Sequence, residues 1–144
     1  RMYTHTAEGQ ILAVEQETGR LLWRRYFPGV HVSFTSPLFQ RGRLFVPQAG
    51  LRKSRLRCLD AATGKPHYMP NRLPGINTTY ASPIAAAGHV YVTWSSGTTV
   101  VLKDDDQFEI VATNSVGETV DATPAPVDNE LFIRGEQHLF CITE

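Results

Sequence analysis

One pattern recurs along the chain at a spacing of about 45 residues, and it limits the possible folds more than any single residue does. The segment Ala13–Trp23, AVEQETGRLLW, aligns 45 positions later with Cys58–Tyr68, CLDAATGKPHY. A degenerate third copy runs from Val101 to Val111, and Cys141-Ile142 opens a fourth. A period of about 40 to 45 residues made only of strands is typical of β-propeller blades.

A second register supports the same period. Ser36-Pro37, Ser82-Pro83 and Thr123-Pro124 each open a strand-like run, and their prolines are 46 and 41 residues apart. Apolar and aromatic residues alternate with polar ones between turns that contain glycine, and no segment has a helical period. The sequence therefore predicts an all-β propeller of four-stranded antiparallel blades.

The repeat divides the chain into about three and a half blades of a seven- to eight-bladed propeller. The predicted segments form one domain over residues 1–144: blade one 1–26 (partial), blade two 35–69, blade three 81–113 and blade four 121–144 (partial). Fourteen strands are expected, as three, four, four and three. Since bare blade flanks are a liability in water, we expect further blades to cover them, from the same chain or a second copy, and we expect a processed or truncated start.

Strand bounds follow from the same pattern. The innermost strands of blades two, three and four are predicted to begin at their Ser/Thr-Pro positions, and blade two is predicted to end on an outermost fourth strand. These four segments are Thr35–Phe39, Ala81–Ala85, Asp121–Val127 and Lys65–Met69.

The net charge is zero, but the two halves of the chain carry opposite charge. Residues 1–72 contain twelve arginines and lysines against four aspartates and glutamates, whereas residues 73–144 contain two against ten. Complementary potential steers and orients protein partners. Nucleic acid is not predicted as a partner, because basic and aromatic residues are not interleaved and the acidic half would repel phosphate. No run approaches the ~20 apolar residues of a membrane span, so none is predicted.

The segment Ala13–Trp23 resembles the docking signature of the quinoprotein (PQQ)-like propeller repeat family, Ala-x-Asp-x-x-Thr-Gly-x-x-x-Trp. Its small residue lets the third strand pack closely, its glycine can take positive φ in the turn, and its aromatic residue docks on the next blade. The matching positions are Ala13, Thr18, Gly19 and Trp23 in blade one, where Glu15 replaces the aspartate, and Asp60, Thr63 and Gly64 in blade two, where Tyr68 stands in place of the tryptophan.

The resemblance implies two different functions. Members similar to quinoprotein alcohol dehydrogenases hold pyrroloquinoline quinone and calcium, whereas BamB-like members serve as protein-docking discs without a quinone. This sequence lacks the adjacent cysteine pair of the enzymes, and Asp104–Asp106 is expected in a solvated outer turn. We therefore predict a noncatalytic scaffold for protein–protein interaction, periplasmic or extracellular, with no cofactor, catalytic residue or metal site. The alternatives are a fragment of a quinone-dependent dehydrogenase whose cofactor residues lie in other blades, and a ligand-sensing propeller domain.

The positions of the cysteines and histidines predict neither a disulfide nor a metal site. Cys58 and Cys141 occupy the same repeat position as Ala13, so both are predicted to be buried in a third strand, with a whole blade between them. A disulfide needs Cα atoms within about 7 Å, so none is predicted. The five histidines are scattered without ligand spacing.

One loop stands out as a candidate partner-binding surface. The loop between the second and third strands of blade two, Gln48–Arg55, is longer and more basic than its counterparts, and function tends to be placed on such loops. Two Pro-Gly turns are predicted on the same face of the propeller. The candidate contact residues are Leu51, Arg52, Lys53, Arg55, His31 and Asn77. The alternative is a solvated basic loop without a partner.

Overall fold

The fold is a set of four small antiparallel sheets. The computed structural model describes residues 1–27, 35–48, 55–68, 71–74 and 78–143. Within them it contains fourteen strands and no helix, arranged in sheets of three, four, four and three strands. The prediction of an all-β partial propeller of about three and a half blades is therefore confirmed. We call the sheets blades one to four in chain order.

The strands follow one another in space as they do in the chain. Their bounds are, in blade one, β1 (Met2–His5), β2 (Gln10–Val14) and β3 (Leu21–Tyr26); in blade two, β4 (Leu38–Gln40), β5 (Arg43–Gln48), β6 (Arg55–Asp60) and β7 (Asn71–Arg72); in blade three, β8 (Ile84–Ala86), β9 (His89–Thr93), β10 (Thr98–Lys103) and β11 (Ile110–Ser115); in blade four, β12 (Ala125–Val127), β13 (Glu130–Arg134) and β14 (Leu139–Ile142).

The core lies between the blades. Side chains alternate across a strand, so Leu44 and Val46 of β5 pack with blade one while Phe45 packs with blade three. All three side chains are almost completely buried. Cys58 and Val92 belong to the same cluster as Phe45. A central strand that is buried on both faces requires the nearly continuous apolar run seen here, and that run fixes the register between blades.

The innermost strands begin later than predicted. The predicted starts at Thr35, Ala81 and Asp121 are wrong, because the observed strands start at Leu38, Ile84 and Ala125. Proline has no N–H to donate to a ladder, and the residue before each proline bonds to the neighbouring blade instead.

These bonds form a chain across three blades. The Ser36 N–H donates to Ser82 Oγ at 3.0 Å, and the Ser82 N–H donates to Thr123 Oγ1 at 2.9 Å. The repeated Ser/Thr-Pro motif therefore links neighbouring inner strands through a hydroxyl group, which the sequence pattern did not indicate.

The outermost strand of blade two also differs from its prediction. Pro66 makes an isolated bridge to Leu59, the His67 N–H donates to Cys58 O at 2.9 Å, and the next strand described is β7. The predicted strand Lys65–Met69 is thus interrupted, because Pro66 cannot donate to the ladder. Met69 lies outside the described residues.

Asp104 corrects the expectation of a solvated acidic turn. Its side chain is 0% exposed and its Oδ1 accepts from Arg43 Nη2 at 2.9 Å. The same Arg43 nitrogen donates to Asp104 O at 2.9 Å, and Arg41 Nε lies 3.8 Å from Asp104 Oδ2. Because Arg43 begins β5 of blade two and Asp104 follows β10 of blade three, this buried ion pair joins the two blades.

We expect Asp104→Ala to lower the free energy of unfolding by about 3–5 kcal/mol, because it leaves the half-buried Arg43 without its counter-ion. Asp105→Ala is the matched control and should cost at most about 1 kcal/mol, since Asp105 is exposed. Urea denaturation of both variants measures the difference. Equal losses would show that the pair does not hold the blades together.

Candidate functional site

The Thr-Gly turns of blades one and two have the same backbone geometry. The Gly19 N–H donates to Glu15 O at 2.9 Å, and the Gly64 N–H donates to Asp60 O at 2.7 Å. Gly19 and Gly64 have φ of +71° and +68°, a region that favours glycine. Both turns therefore close their hairpins in the same way.

An acidic side chain supports each turn. Asp60 Oδ1 accepts from the Thr63 N–H at 2.8 Å and from Thr63 Oγ1 at 2.6 Å. In blade one Thr18 Oγ1 donates to Glu15 Oε2 at 2.5 Å. The Thr63 side-chain hydrogen bond is the first cause of the lowered pKa of Asp60. Glu15 thus performs in blade one the role that Asp60 performs in blade two.

Trp23 reaches from blade one to the turn of blade two. It is 8% exposed, and its Nε1 donates to Ala61 O at 3.0 Å. The same carbonyl accepts from Tyr3 Oη at 3.1 Å. A Cβ on Gly64 would lie 2.7 Å from Trp23 Cε3, so the indole rests directly on the glycine. Ala13 is fully buried and lies opposite Trp23 in the register of β2 and β3.

Tyr68 lies between blades two and three, as Trp23 lies between blades one and two. Its ring meets Phe108 of blade three edge to face, with ring centroids 5.5 Å apart. Burial raises the pKa of Tyr68, and burial raises the pKa of the neighbouring Cys58 thiol to about 12. Cys58 is therefore a packing residue and a poor nucleophile.

Comparison of Gly64→Ala with Gly19→Ala separates the cost of backbone strain from the cost of disturbing the packing of Trp23 on the turn of blade two. Both place a Cβ on a backbone with positive φ, which costs about 1–2 kcal/mol, and Gly19 has open space around it. Gly64→Ala should lower the free energy of unfolding by about 1–3 kcal/mol more, because the methyl group collides with the indole of Trp23. Chemical denaturation followed by tryptophan fluorescence measures both. Equal effects would mean that Trp23 does not pack on Gly64 in solution.

The loops at one end of the blades are tied together by backbone hydrogen bonds. The Ser95 N–H donates to Thr78 O at 3.0 Å, the Val120 N–H to Ser95 O at 3.2 Å and the Glu136 N–H to Thr119 O at 2.9 Å. We call residues 78–80, 95–97, 116–122 and 135–138 the loop face. Because each loop holds the next, this face presents a fixed surface.

Glu118 fixes the last of these loops. Its Oε2 accepts from the Gln137 N–H at 2.6 Å, and its Oε1 lies 2.9 Å from His138 Nδ1. A Cβ on Gly135 would lie 2.6 Å from Glu118 Cδ, so the glycine makes room for the carboxylate. The backbone bond from Gln137 is the largest cause of the lowered pKa of Glu118. The cap therefore stabilises the loop at neutral pH and is lost as the pH falls through that lowered pKa.

A pocket of about 420 Å³ opens on the loop face. It is lined by Thr119, Asp121, Ala122, Arg134, Gly135 and Glu136. The Nη1 group of Arg134 donates to the carbonyls of Gly135 and His138. In the described part of the chain, no group of three His, Cys, Asp or Glu side chains could hold a metal ion.

Of the predicted partner-binding residues, only Arg55 belongs to the part of the chain that the structure describes. Arg55 begins β6 and is half-buried. Leu51, Arg52, Lys53, His31 and Asn77 lie outside the described residues. The sequence pattern missed Arg57, whose guanidinium Cζ lies 4.0 Å from the ring centroid of Phe27. Only the β6 alternation, which puts Arg57 on the same side as Arg55, could have indicated it.

The two cysteines differ although their repeat positions agree. Cys58 is fully buried between blades two and three, whereas Cys141 is exposed and both thiols are free. The prediction that both are buried is therefore wrong for Cys141. Its neighbours Leu139 and Ile142 are also exposed, at 65% and 46%. Burial at this repeat position thus depends on a following blade.

Sheets that pack face to face, with an aromatic residue of one blade on the turn of the next, define a β-propeller protein of the quinoprotein type. The chain belongs to the family described as outer membrane protein assembly factor BamB, whose model matches residues 1–143. The recognition of a quinoprotein-like propeller repeat from the sequence is therefore confirmed. No curated protein matches the sequence.

Solved structures agree with this fold. BamB from Moraxella catarrhalis is 20% identical, with a TM-score of 0.76 over 96% of this chain and 41% of that one. The computationally designed Ika8 protein is 14% identical, with a TM-score of 0.74 over 99% of this chain and 42% of that one. A europium-containing methanol dehydrogenase is 13% identical, with a TM-score of 0.69 over 98% and 39%. The chain thus spans about two fifths of the length of each.

The described residues contain no helix that is long and apolar enough to cross a membrane.

Proposed function

We propose that this chain is a noncatalytic propeller scaffold that docks a protein partner on its loop face. The observation that carries this proposal is the backbone hydrogen bonding that joins Thr78 to Ser95, Ser95 to Val120 and Thr119 to Glu136. A surface whose loops are already fixed loses little conformational entropy on binding, which favours docking.

The family supports the same function. Its description names an assembly factor of outer membrane proteins, and assembly factors act through contacts with other proteins. The placement in the bacterial periplasm or outside the cell rests on this resemblance. The partner and the role of a complete protein belong to the proposal, since this chain spans 41% of the Moraxella structure.

The basic loop predicted from the sequence is part of the proposed docking surface. Its residues Leu51, Arg52, Lys53 and Arg55 are joined in the proposal by His31 and Asn77 from the Pro-Gly turns. A variant that keeps Leu51 and reverses the charges of Arg52, Lys53 and Arg55 tests the electrostatic contribution of this loop alone.

We expect reversal of Arg52, Lys53 and Arg55 to glutamate to reduce partner capture by at least about tenfold, because charge at a docking site governs encounter and specificity. The immobilised chain is incubated with extract of its source organism, and retained proteins are quantified by mass spectrometry. Reversal of the exposed Arg20, Arg24 and Lys65 is the control with the same charge change.

A stoichiometric partner that is lost with the loop variant and kept with the control supports the proposal. Equal loss in both variants would indicate general electrostatic attraction. If the unmodified chain retains no partner, the scaffold function is wrong.

A fragment of a quinone-dependent dehydrogenase is the second candidate, favoured by the superposition on methanol dehydrogenase. That likeness is one of fold. The sequence has no adjacent cysteine pair, and the described residues offer no cluster of metal-ligating side chains. The described residues therefore do not fit pyrroloquinoline quinone and its calcium ion.

We expect no saturable binding when the chain is titrated with pyrroloquinoline quinone and calcium. Absorbance of the quinone measures binding, and bovine serum albumin controls for nonspecific adsorption. Saturable binding with a micromolar dissociation constant would favour the dehydrogenase fragment over the scaffold.

A further inference from the structure

Three arginines lie on one face of the sheet in blade two. Arg55 and Arg57 are two residues apart in β6, so their side chains point to the same side of the sheet. Arg72 of β7 is paired with Arg55. Leu56 and Cys58 point to the opposite side and are fully buried between blades two and three. We call Arg55, Arg57 and Arg72 the arginine face.

The positive charge of this face is not balanced at Arg55 or Arg57. Among the described residues, no carboxylate lies within ion-pair distance of either side chain. Arg57 Nε is buried and has no hydrogen-bond partner among the residues that the structure describes. Burial first, and then the charge of Arg55, lowers the pKa of Arg57. Neighbouring like charges and an unpaired buried donor are unfavourable in a sheet, and a bound anion would relieve both.

Stacking on Phe27 holds the Arg57 guanidinium in place. Its Cζ lies 4.0 Å from the ring centroid, and the Phe27 N–H donates to Gly9 O at 3.1 Å. An arginine held by an aromatic ring binds a carboxylate with less loss of entropy, and its planar fork matches the two oxygens.

Two other arginines of these blades, Arg25 and Arg43, have their donors engaged by the next blade. Arg25 donates to Gly64 O and Thr63 O of the next blade, and Arg43 donates to Asp104. Those contacts hold blades together. Among the described residues, neither Arg55 nor Arg57 donates a hydrogen bond or forms an ion pair across a blade junction, which distinguishes them from Arg25 and Arg43.

We infer that the arginine face binds carboxylate side chains of an acidic segment in a protein partner. The inference deepens the proposed docking function and rests on it. Residues 1–72, which include this face, carry twelve basic against four acidic residues, and this excess steers an acidic segment towards it. Residues 73–144 carry ten acidic against two basic residues, so a nucleic acid would be repelled by half of the chain.

Hexaglutamate peptide is the probe for this inference, and isothermal titration calorimetry at low salt is the measurement. Arg55→Gln/Arg57→Gln should weaken binding at least about tenfold, because it removes two charge-assisted contacts. Arg24→Gln/Lys65→Gln removes the same charge from exposed positions in blades one and two and should bind within about twofold of the original chain. Thermal melts check that each variant is folded.

Arg57→Lys is the second variant, since it keeps the charge and loses the planar fork. It should weaken binding about threefold or more while leaving the melting temperature unchanged, and it tests the inference if the double variant does not fold. Absence of hexaglutamate binding, equal weakening in the control, unchanged binding by both arginine variants, or tighter binding of a twelve-nucleotide thymidine oligomer would each overturn the inference. Partner capture that survives Arg55→Gln/Arg57→Gln would overturn it while leaving the scaffold function intact.

Discussion

The packing of one blade on the next is the interaction on which the rest of this structure depends, because each central strand is apolar on both faces. The carbonyl that follows the third strand is the common acceptor at two junctions. Ala61 O accepts from Trp23 Nε1 and Tyr3 Oη, and Asp104 O accepts from Arg43 Nη2. The N–H groups of Ala61 and Asp104 both donate to a turn glycine, so the two positions are equivalent. The indole of Trp23 at the junction of blades one and two thus has the same role as the guanidinium of Arg43 at the junction of blades two and three.

A second set of bonds fixes the inner edge of the blades. Ser36 bonds to Ser82 and Ser82 to Thr123, always from a backbone N–H to a side-chain hydroxyl. Together with the docking contacts near the outer turns, these bonds prevent one blade from sliding along the next. The loop face is rigid for the same reason, because its loops connect strands whose positions are fixed by these contacts between blades.

The charged side chains divide into those that hold the structure together and those without such a contact among the described residues. Arg43 and Arg25 stabilise contacts between blades, whereas Arg55 and Arg57 have no ion pair in the described part of the chain. Glu118 likewise differs from Asp121, because it caps backbone N–H groups while Asp121 lines an open pocket. The sign of the charge is the same within each comparison, so only the contacts show which charges remain for a partner.

The sequence by itself determined the fold class, the family and the strand number, because these depend on local rules: alternation of apolar residues, a positive-φ glycine in each Thr-Gly turn, and their repetition. It also located Gly19 and Gly64, where a side chain is disfavoured whatever surrounds it. Only the tertiary structure decided the burial of Asp104, the exposure of Cys141 and the absence of a partner for Arg57 Nε within the described ranges. Burial and pairing depend on which blade or loop covers a residue, and this contact comes from chain segments far away in sequence.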